Sequence, residues 1–345
     1  SYNVRVGSLR WQQAAAALLL VFAVLAAVRT TARADSTRIA TGASPVLFIQ
    51  LTSGDLTVRS WDQQGVQIDA DPGVEARHVE PQQATPRIPT HMYLWSQVAR
   101  APDGTTLKLE PETFLLPPIE GQHDAVVIRG AGNATIAIPA GTALIVSNVR
   151  RGAVAIEGYK NGVFVAHVAN GSMHLDNVSG TGAVQVNNGP FTARNSDFAR
   201  LRVRTVRGNI AFEHCNSTQI EATSLTGGFM YDNGTFQPGL ARFESDRGNV
   251  LLGVTGSGVQ VGAHSNVGQI FSDSAAVQPG QTDAQATLGR GGPVVTATSG
   301  SGSVIFYNGA LRSHPALARR FALRGRHSQQ KPPQNGHVHL KSMLR

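Results

Sequence analysis

Seven glycines recur along this chain, Gly152, Gly171, Gly189, Gly208, Gly227, Gly248 and Gly268, in steps of 18 to 21 residues. The second residue after each is apolar: Val154, Met173, Phe191, Ile210, Phe229, Val250 and Ile270. The fourth is apolar too in Ile156, Leu175, Ala193, Phe212, Tyr231 and Leu252, with Ser272 breaking the series. A fixed period near 20 that contains period-2 alternation means short strands, one set per repeat, each stacking on the last. The expected fold is all-β, a single parallel β-solenoid (β-helix) with coils of about 19–20 residues.

Between the glycines runs a second series half a coil away: Val184-Gln185-Val186, Leu201-Arg202-Val203, Ile220-Glu221-Ala222, Ala241-Arg242-Phe243 and Val259-Gln260-Val261. Leu201, Ile220, Ala241 and Val261 succeed one another at nearly the same period, which predicts a second sheet with apolar residues inside and Gln, Arg and Glu outside. A fully buried apolar side chain contributes about 1.5–3 kcal/mol, so an isolated coil, whose neighbours do not cover it, is not expected to fold. Corners are equally regular. Six residues after the glycine stand Gly158, Asn177, Asn195, His214 and Asn233, and Asn308 stands in the same place after Gly302. Asn tolerates the left-handed backbone of a tight corner, and stacked amides can form a hydrogen-bonded ladder.

The organisation expected from these patterns has five parts. Residues 1–34 place Arg5 and Arg10 before the apolar run Ala14 to Val28, then Ala32-Arg33-Ala34, the form of a secretory signal peptide with cleavage before Asp35. The run is short for a membrane span, so an uncleaved N-terminal anchor is the alternative. Residues 35–71 read as the first strands of the solenoid. Residues 72–125 hold eight of the 17 prolines and read as an insertion that caps the first coil. The solenoid occupies 126–310, resuming at Gly132, one coil before Gly152. Residues 311–345 read as a basic, disordered tail.

Charge obeys the same division. The net charge of +8 comes from the ends: residues 1–34 carry four arginines and no acid, and 310–345 carry eight Lys/Arg and no acid. The body from 35 to 309 keeps 18 Lys/Arg against 22 Asp/Glu, a net of −4. No basic face is left to neutralise phosphates, which argues against nucleic-acid binding by the body. The tail is expected to meet an anionic surface, such as lipid headgroups or an acidic cell-wall polymer.

The stretch Gly54-Asp55-Leu56-Thr57-Val58-Arg59-Ser60-Trp61-Asp62, then Val66-Gln67-Ile68, resembles the opening of the bacterial "putative adhesin" domain-of-unknown-function family. So do Ile138-Pro139-Ala140-Gly141 and the repeated G-x-apolar-x-apolar coils. The resemblance covers roughly residues 45 to 310 and implies an exported or membrane-anchored bacterial solenoid with no assigned catalysis.

Chemistry is sparse. Five residues after successive glycines stand Glu157, Asp176, Arg194, Glu213 and Asp232, a stack on the outside if the coils are in register. Paired carboxylates on one face are what a carbohydrate-active lyase or hydrolase requires. Acids flanking one arginine also describe a solvated ion ladder, the favoured reading. Aromatic platforms for sugars beside the stack reduce to Tyr159, Tyr231 and Phe198. Cys215, the only cysteine, reads as structural. Nucleotide, dinucleotide and serine-hydrolase motifs are absent from the sequence. No catalytic, cofactor-binding or metal-binding residues are therefore expected. The function expected is a non-catalytic, adhesin-like protein, periplasmic, on the cell surface or extracellular, binding an envelope polymer or protein. The alternatives are the carbohydrate-active enzyme and a filament that self-associates at its solenoid ends.

Overall fold

The computed structural model describes residues 35–79, four short strands within 91–115, residues 123–310 apart from 257 and 279, and residue 313. The proposed signal peptide, most of the insertion and the basic tail lie outside the described residues.

Five strands come first: β1 (Asp35–Ile39), β2 (Val46–Leu51), β3 (Leu56–Trp61), β4 (Val66–Ala70) and β5 (Val74–Val79). Within the insertion, β6 (His91–Tyr93) pairs antiparallel with β9 (Thr113–Leu115), and β7 (Val98–Arg100) with β8 (Thr106–Lys108). The repeats then alternate between two sheets. To the first belong β10 (Ala125–Gly130), β12 (Leu144–Arg151), β14 (Gly162–Asn170), β16 (Ser179–Asn188), β18 (Asp197–Arg207), β20 (Asn216–Thr226) and β22 (Ala241–Arg247). To the second belong β11 (Ala134–Pro139), β13 (Val154–Glu157), β15 (Met173–Asp176), β17 (Phe191–Arg194), β19 (Ile210–Glu213), β21 (Phe229–Phe236) and β23 (Val250–Val254). Five more close the described chain: β24 (Gly258–Ser265), β25 (Ile270–Ser272), β26 (Asp283–Gly289), β27 (Val294–Ser299) and β28 (Val304–Asn308).

The protein is all-β, and among the described residues it contains no α-helix. Within the repeats each strand pairs in parallel with the strand two places on. The sequence columns become spatial columns: Val154 lies beside Met173, then Phe191, Ile210, Phe229 and Val250, while Ile156 leads through Leu175, Ala193, Phe212 and Tyr231 to Leu252. All twelve are buried, and an aromatic run threads the core, with Phe212 5.5 Å from Phe191 and 5.6 Å from Tyr231 between ring centroids.

The recurring glycine is a steric requirement of this stacking. Gly189 has φ +142°, and a Cβ there would stand 1.7 Å from the Gly171 carbonyl oxygen. Only a residue without a Cβ lets two backbones meet so closely. The corners behave as the sequence predicts at five of the six positions: Asn177, Asn195, His214 and Asn233 have φ between 49° and 55°, and Gly158 has φ 67°, whereas Asn308 ends β28 and the positive φ, 105°, falls on Gly309. The amide ladder does not form there. Asn195 Nδ2 donates to Asp176 Oδ1 at 3.0 Å and Asn177 Oδ1 accepts from Lys160 Nζ at 2.6 Å.

Three expectations are corrected. First, the sheets are mixed rather than purely parallel. At one end β4 pairs antiparallel with β11 and β1, and β5 pairs antiparallel with β10; at the other end β26 pairs antiparallel with β24. Val66-Gln67-Ile68 therefore belongs to an antiparallel edge, not to the parallel repeats. Second, Gly132 does not begin the neighbour of the Gly152 repeat. The strands β2 and β3 lie between them, pairing with β10 and β11 on one side and β12 and β13 on the other. Third, the Gly268 repeat does not stack directly on that of Gly248. The last pair, β27 and β28, inserts between β22–β23 and β24–β25, so Ala241 meets Val295 and only then comes Val261. The periodicity fixes which residues face inward and says nothing of neighbour order.

Candidate functional site: the outer faces of the two sheets

Register brings the predicted stack together. Glu157 lies beside Asp176, Asp176 beside Arg194, Arg194 beside Glu213, and Glu213 beside Asp232, with Arg59 on the far side of Glu157. Alternation from buried Ile156, Leu175 and Phe212 turns these side chains outward. Their polar groups engage one another and their surroundings. Arg194 Nε is 2.9 Å from Glu213 Oε2, Asp176 accepts from Asn195, and Asp232 Oδ1 accepts from the Tyr307 hydroxyl at 3.0 Å. Opposite charges at strand spacing make a ladder in which Asp176, Glu213 and Asp232 each have a partner.

The aromatic platforms do not exist as such. Tyr159, Tyr231 and Phe198 point inward and are buried. The hydroxyl of Tyr159 donates toward the Thr142 and Val163 carbonyls, and that of Tyr231 toward those of Cys215 and Thr235. Alternation counted from the glycine misassigned Tyr159, because the corner at Gly158 resets the inward direction. Cys215 is buried as well, its Sγ 3.4 Å from the Glu213 carbonyl oxygen, and burial pushes its thiol up to about 11. At that value the nucleophilic thiolate is scarce near neutral pH.

The first sheet carries a groove on its outer face. Arg202, Glu221 and Arg242 form one outer row, and Arg204, Thr223 and Glu244 the next. Arg202 Nη2 is 2.6 Å from Glu221 Oε2, and Arg242 pairs with Glu244 along its own strand. These six residues line a cavity of about 290 Å³. Arg204, Thr223 and Glu244 also line a second of about 260 Å³, with Asp246, Asn266 and Thr298. Arg204 stands between the two and takes part in no ion pair among the described residues. The signal was legible as the Arg and Glu at the centre of each outer triplet, but only register puts them side by side.

Further toward β2 the outer face changes character. Val163, Val165, Ala183, His167 and Gln185 are all buried, although they alternate with core residues. His167 Nδ1 is 3.1 Å from Asn148 Oδ1, its Nε2 3.2 Å from Asn187 Nδ2, and Gln185 donates to Asn187 Oδ1 at 2.9 Å. Burial, outweighing the opposite effect of Asn187, pushes the imidazole down to about 4. Among the described residues no three His, Cys, Asp or Glu gather as a metal site, and no helix is long and apolar enough to cross a membrane.

No family model matches the sequence, and no curated protein is significantly similar to it. A solved structure of a "putative cell adhesion protein" from Clostridium sporogenes is similar over 79% of this chain and 98% of that one, at 8% identity and a TM-score of 0.24.

Proposed function

We propose that this protein is a β-solenoid of the adhesin-like kind, exported to the bacterial envelope, that binds an extended polymer or protein partner without catalysis. The groove of Arg202, Arg204, Glu221, Thr223, Arg242 and Glu244 carries the reading. It presents charged and hydroxyl groups in rows at strand spacing, about 4.8 Å, on a core that holds the register rigid. Such rows suit a ligand that itself repeats, and the uncommitted Arg204 guanidinium offers a forked donor for carboxylate or sulfate. The repeats themselves support the solenoid reading, since parallel pairing links successive inner columns from β2 to β28. Partnered carboxylates in the Glu157, Asp176, Arg194, Glu213, Asp232 stack favour a structural ladder over a cleaving pair.

A glycan array with the full chain, repeated with Arg204→Glu, tests the binding face. Binding of acidic polysaccharide that falls at least tenfold in the variant is expected; unchanged binding removes the groove from the account. Reducing-sugar release abolished by Asp176→Asn would establish the enzyme instead. Export is tested by mass spectrometry of the native protein, which should begin at Asp35. A chain retaining residues 10–28 in the membrane fraction would show the anchor, and a cytoplasmic pool would overturn both.

A further inference from the structure

The smaller of the two cavities beside Arg204, about 260 Å³, differs from its neighbour in having an aliphatic floor. Three strands build most of it: β18 supplies Arg204 and Val206, β20 Thr223 and Leu225, and β22 Glu244 and Asp246. Register puts Thr223 between Arg204 and Glu244. The buried column Thr205, Ser224, Ser245 comes next along each strand, so alternation turns Val206, Leu225 and Asp246 outward again. One wall of the cavity is therefore a guanidinium, the opposite wall holds two carboxylates, and Leu225, half-buried, lies with buried Val206 beside them. Arg204 and Asp246 take part in no ion pair among the described residues. Arg242 engages Glu244 through Oε1, so Oε2 remains to accept.

We propose that this cavity binds a free α-amino acid with an apolar side chain, as its zwitterion. Side chains stand roughly perpendicular to a sheet, so charged tips keep about the spacing of their strands. Arg204 and Glu244, two strands apart, are then separated by about 9–10 Å. In an amino acid the carboxylate carbon and the ammonium nitrogen are about 2.5 Å apart. With a charge-assisted hydrogen bond at each end, one such ligand spans about 8–9 Å. It bridges the two walls, its carboxylate on the Arg204 fork and its ammonium on Glu244 and Asp246. A simple anion or cation reaches one wall and leaves the other without a partner. The ligand's side chain falls on Leu225 and Val206, where its carbons leave water. The cavity is smaller than a site for a drug-sized molecule, which matches a ligand of this size. The site shares Arg204 with the polymer groove but does not rest on that reading, because a free amino acid needs no polymer.

Isothermal titration of the full chain with L-leucine tests this. Leucinamide, which lacks the carboxylate, and N-acetylleucine, which lacks the ammonium, serve as controls on the native protein. Leucine should bind, and each control should bind at least tenfold more weakly. Asp246→Asn should weaken leucine several-fold, with a thermal melt like the native one. Absence of heat with leucine, controls that bind as tightly as leucine, or an Asp246→Asn chain with native affinity each overturn the proposal. Its failure is distinct from that of the polymer groove. Acidic glycan bound through Arg204 without any leucine removes the amino-acid site alone, and leucine bound by a chain that holds no glycan removes the groove alone.

Discussion

A single missing Cβ decides how closely two repeats approach. Replacing Gly189 by Ala places a methyl 1.7 Å from the Gly171 carbonyl oxygen on a backbone of φ +142°. Neither neighbour is a flexible side chain that can swing aside, so the backbone must shift, at a cost of more than about 2 kcal/mol. A urea titration of Gly189→Ala should show the midpoint fall accordingly; an unchanged midpoint would mean the stack tolerates wider spacing. His167 supplies a second prediction. Its imidazole titrates near 4 when folded and near 6.5 when unfolded, so the folded state is not penalised above pH 6.5. As pH falls from 6.5 to 4 the unfolded chain takes up the proton first, and stability drops by on the order of 3 kcal/mol. His167→Gln should abolish that part of the acid slope, measured as unfolding free energy at pH 7 and pH 4.5. The glycine is marked by its period in the sequence, whereas the burial of His167 is not: alternation gives it an outward position.

At the scale of the element, strands hold their register through an inner column that changes composition along the stack. Leu51, Val149, Val168 and Val186 fill it in the first half, then Thr205, Ser224, Ser245, Ser299 and Ser265. The hydroxyls are buried and donate to the carbonyls of the glycine column, Ser245 to Gly227 at 2.9 Å, Ser299 to Gly248 at 2.8 Å and Ser265 to Gly302 at 2.7 Å. Buried carbonyls without a donor are costly, so Ser245→Ala should destabilise by about 1–3 kcal/mol. A loss below that range in thermal melts would show the Gly227 carbonyl to be satisfied otherwise. In the aromatic run, Phe212 sits among Phe191, Tyr231 and Phe243, and Phe212→Asp buries an unpaired carboxylate at a cost of several kcal/mol. Loss of the folded-state circular dichroism is the expected result. Retention of a native spectrum would mean the site opens to water.

For the whole molecule the order of the repeats matters more than their number. Because β27 and β28 lie between β22–β23 and β24–β25, a chain ending at residue 291 leaves β24–β26 without the strands they stack on. A chain ending at residue 256 stops at a complete repeat. Hydrogen exchange should find residues 258–289 unprotected in the longer truncation, while β18–β23 keep similar protection in the two. Slow exchange of β24 in that chain would restore the sequential order that the glycine period suggests. The parallel repeats contact only their neighbours, whereas the interleaved ends tie residues far apart in sequence, such as Asn266 and Ser299 or Gly309 and Val254. These ties cost more chain entropy to form, which delays the ends relative to the middle during folding.

The sequence by itself determined the all-β character, the inward columns that begin at Val154 and Ile156, the left-handed corners at Asn177, Asn195 and His214, and the alignment of the Glu157-to-Asp232 stack. Each arises from local chemistry repeated at a fixed period: side-chain alternation, the steric freedom of Gly, and the tolerance of Asn for positive φ. Tertiary structure alone decided which repeat lies beside which, the antiparallel edges at β4, β5 and β26, the groove around Arg204, and the burial of His167. Those depend on contacts between residues far apart in the chain, and a local pattern constrains which face a residue presents but not what meets it.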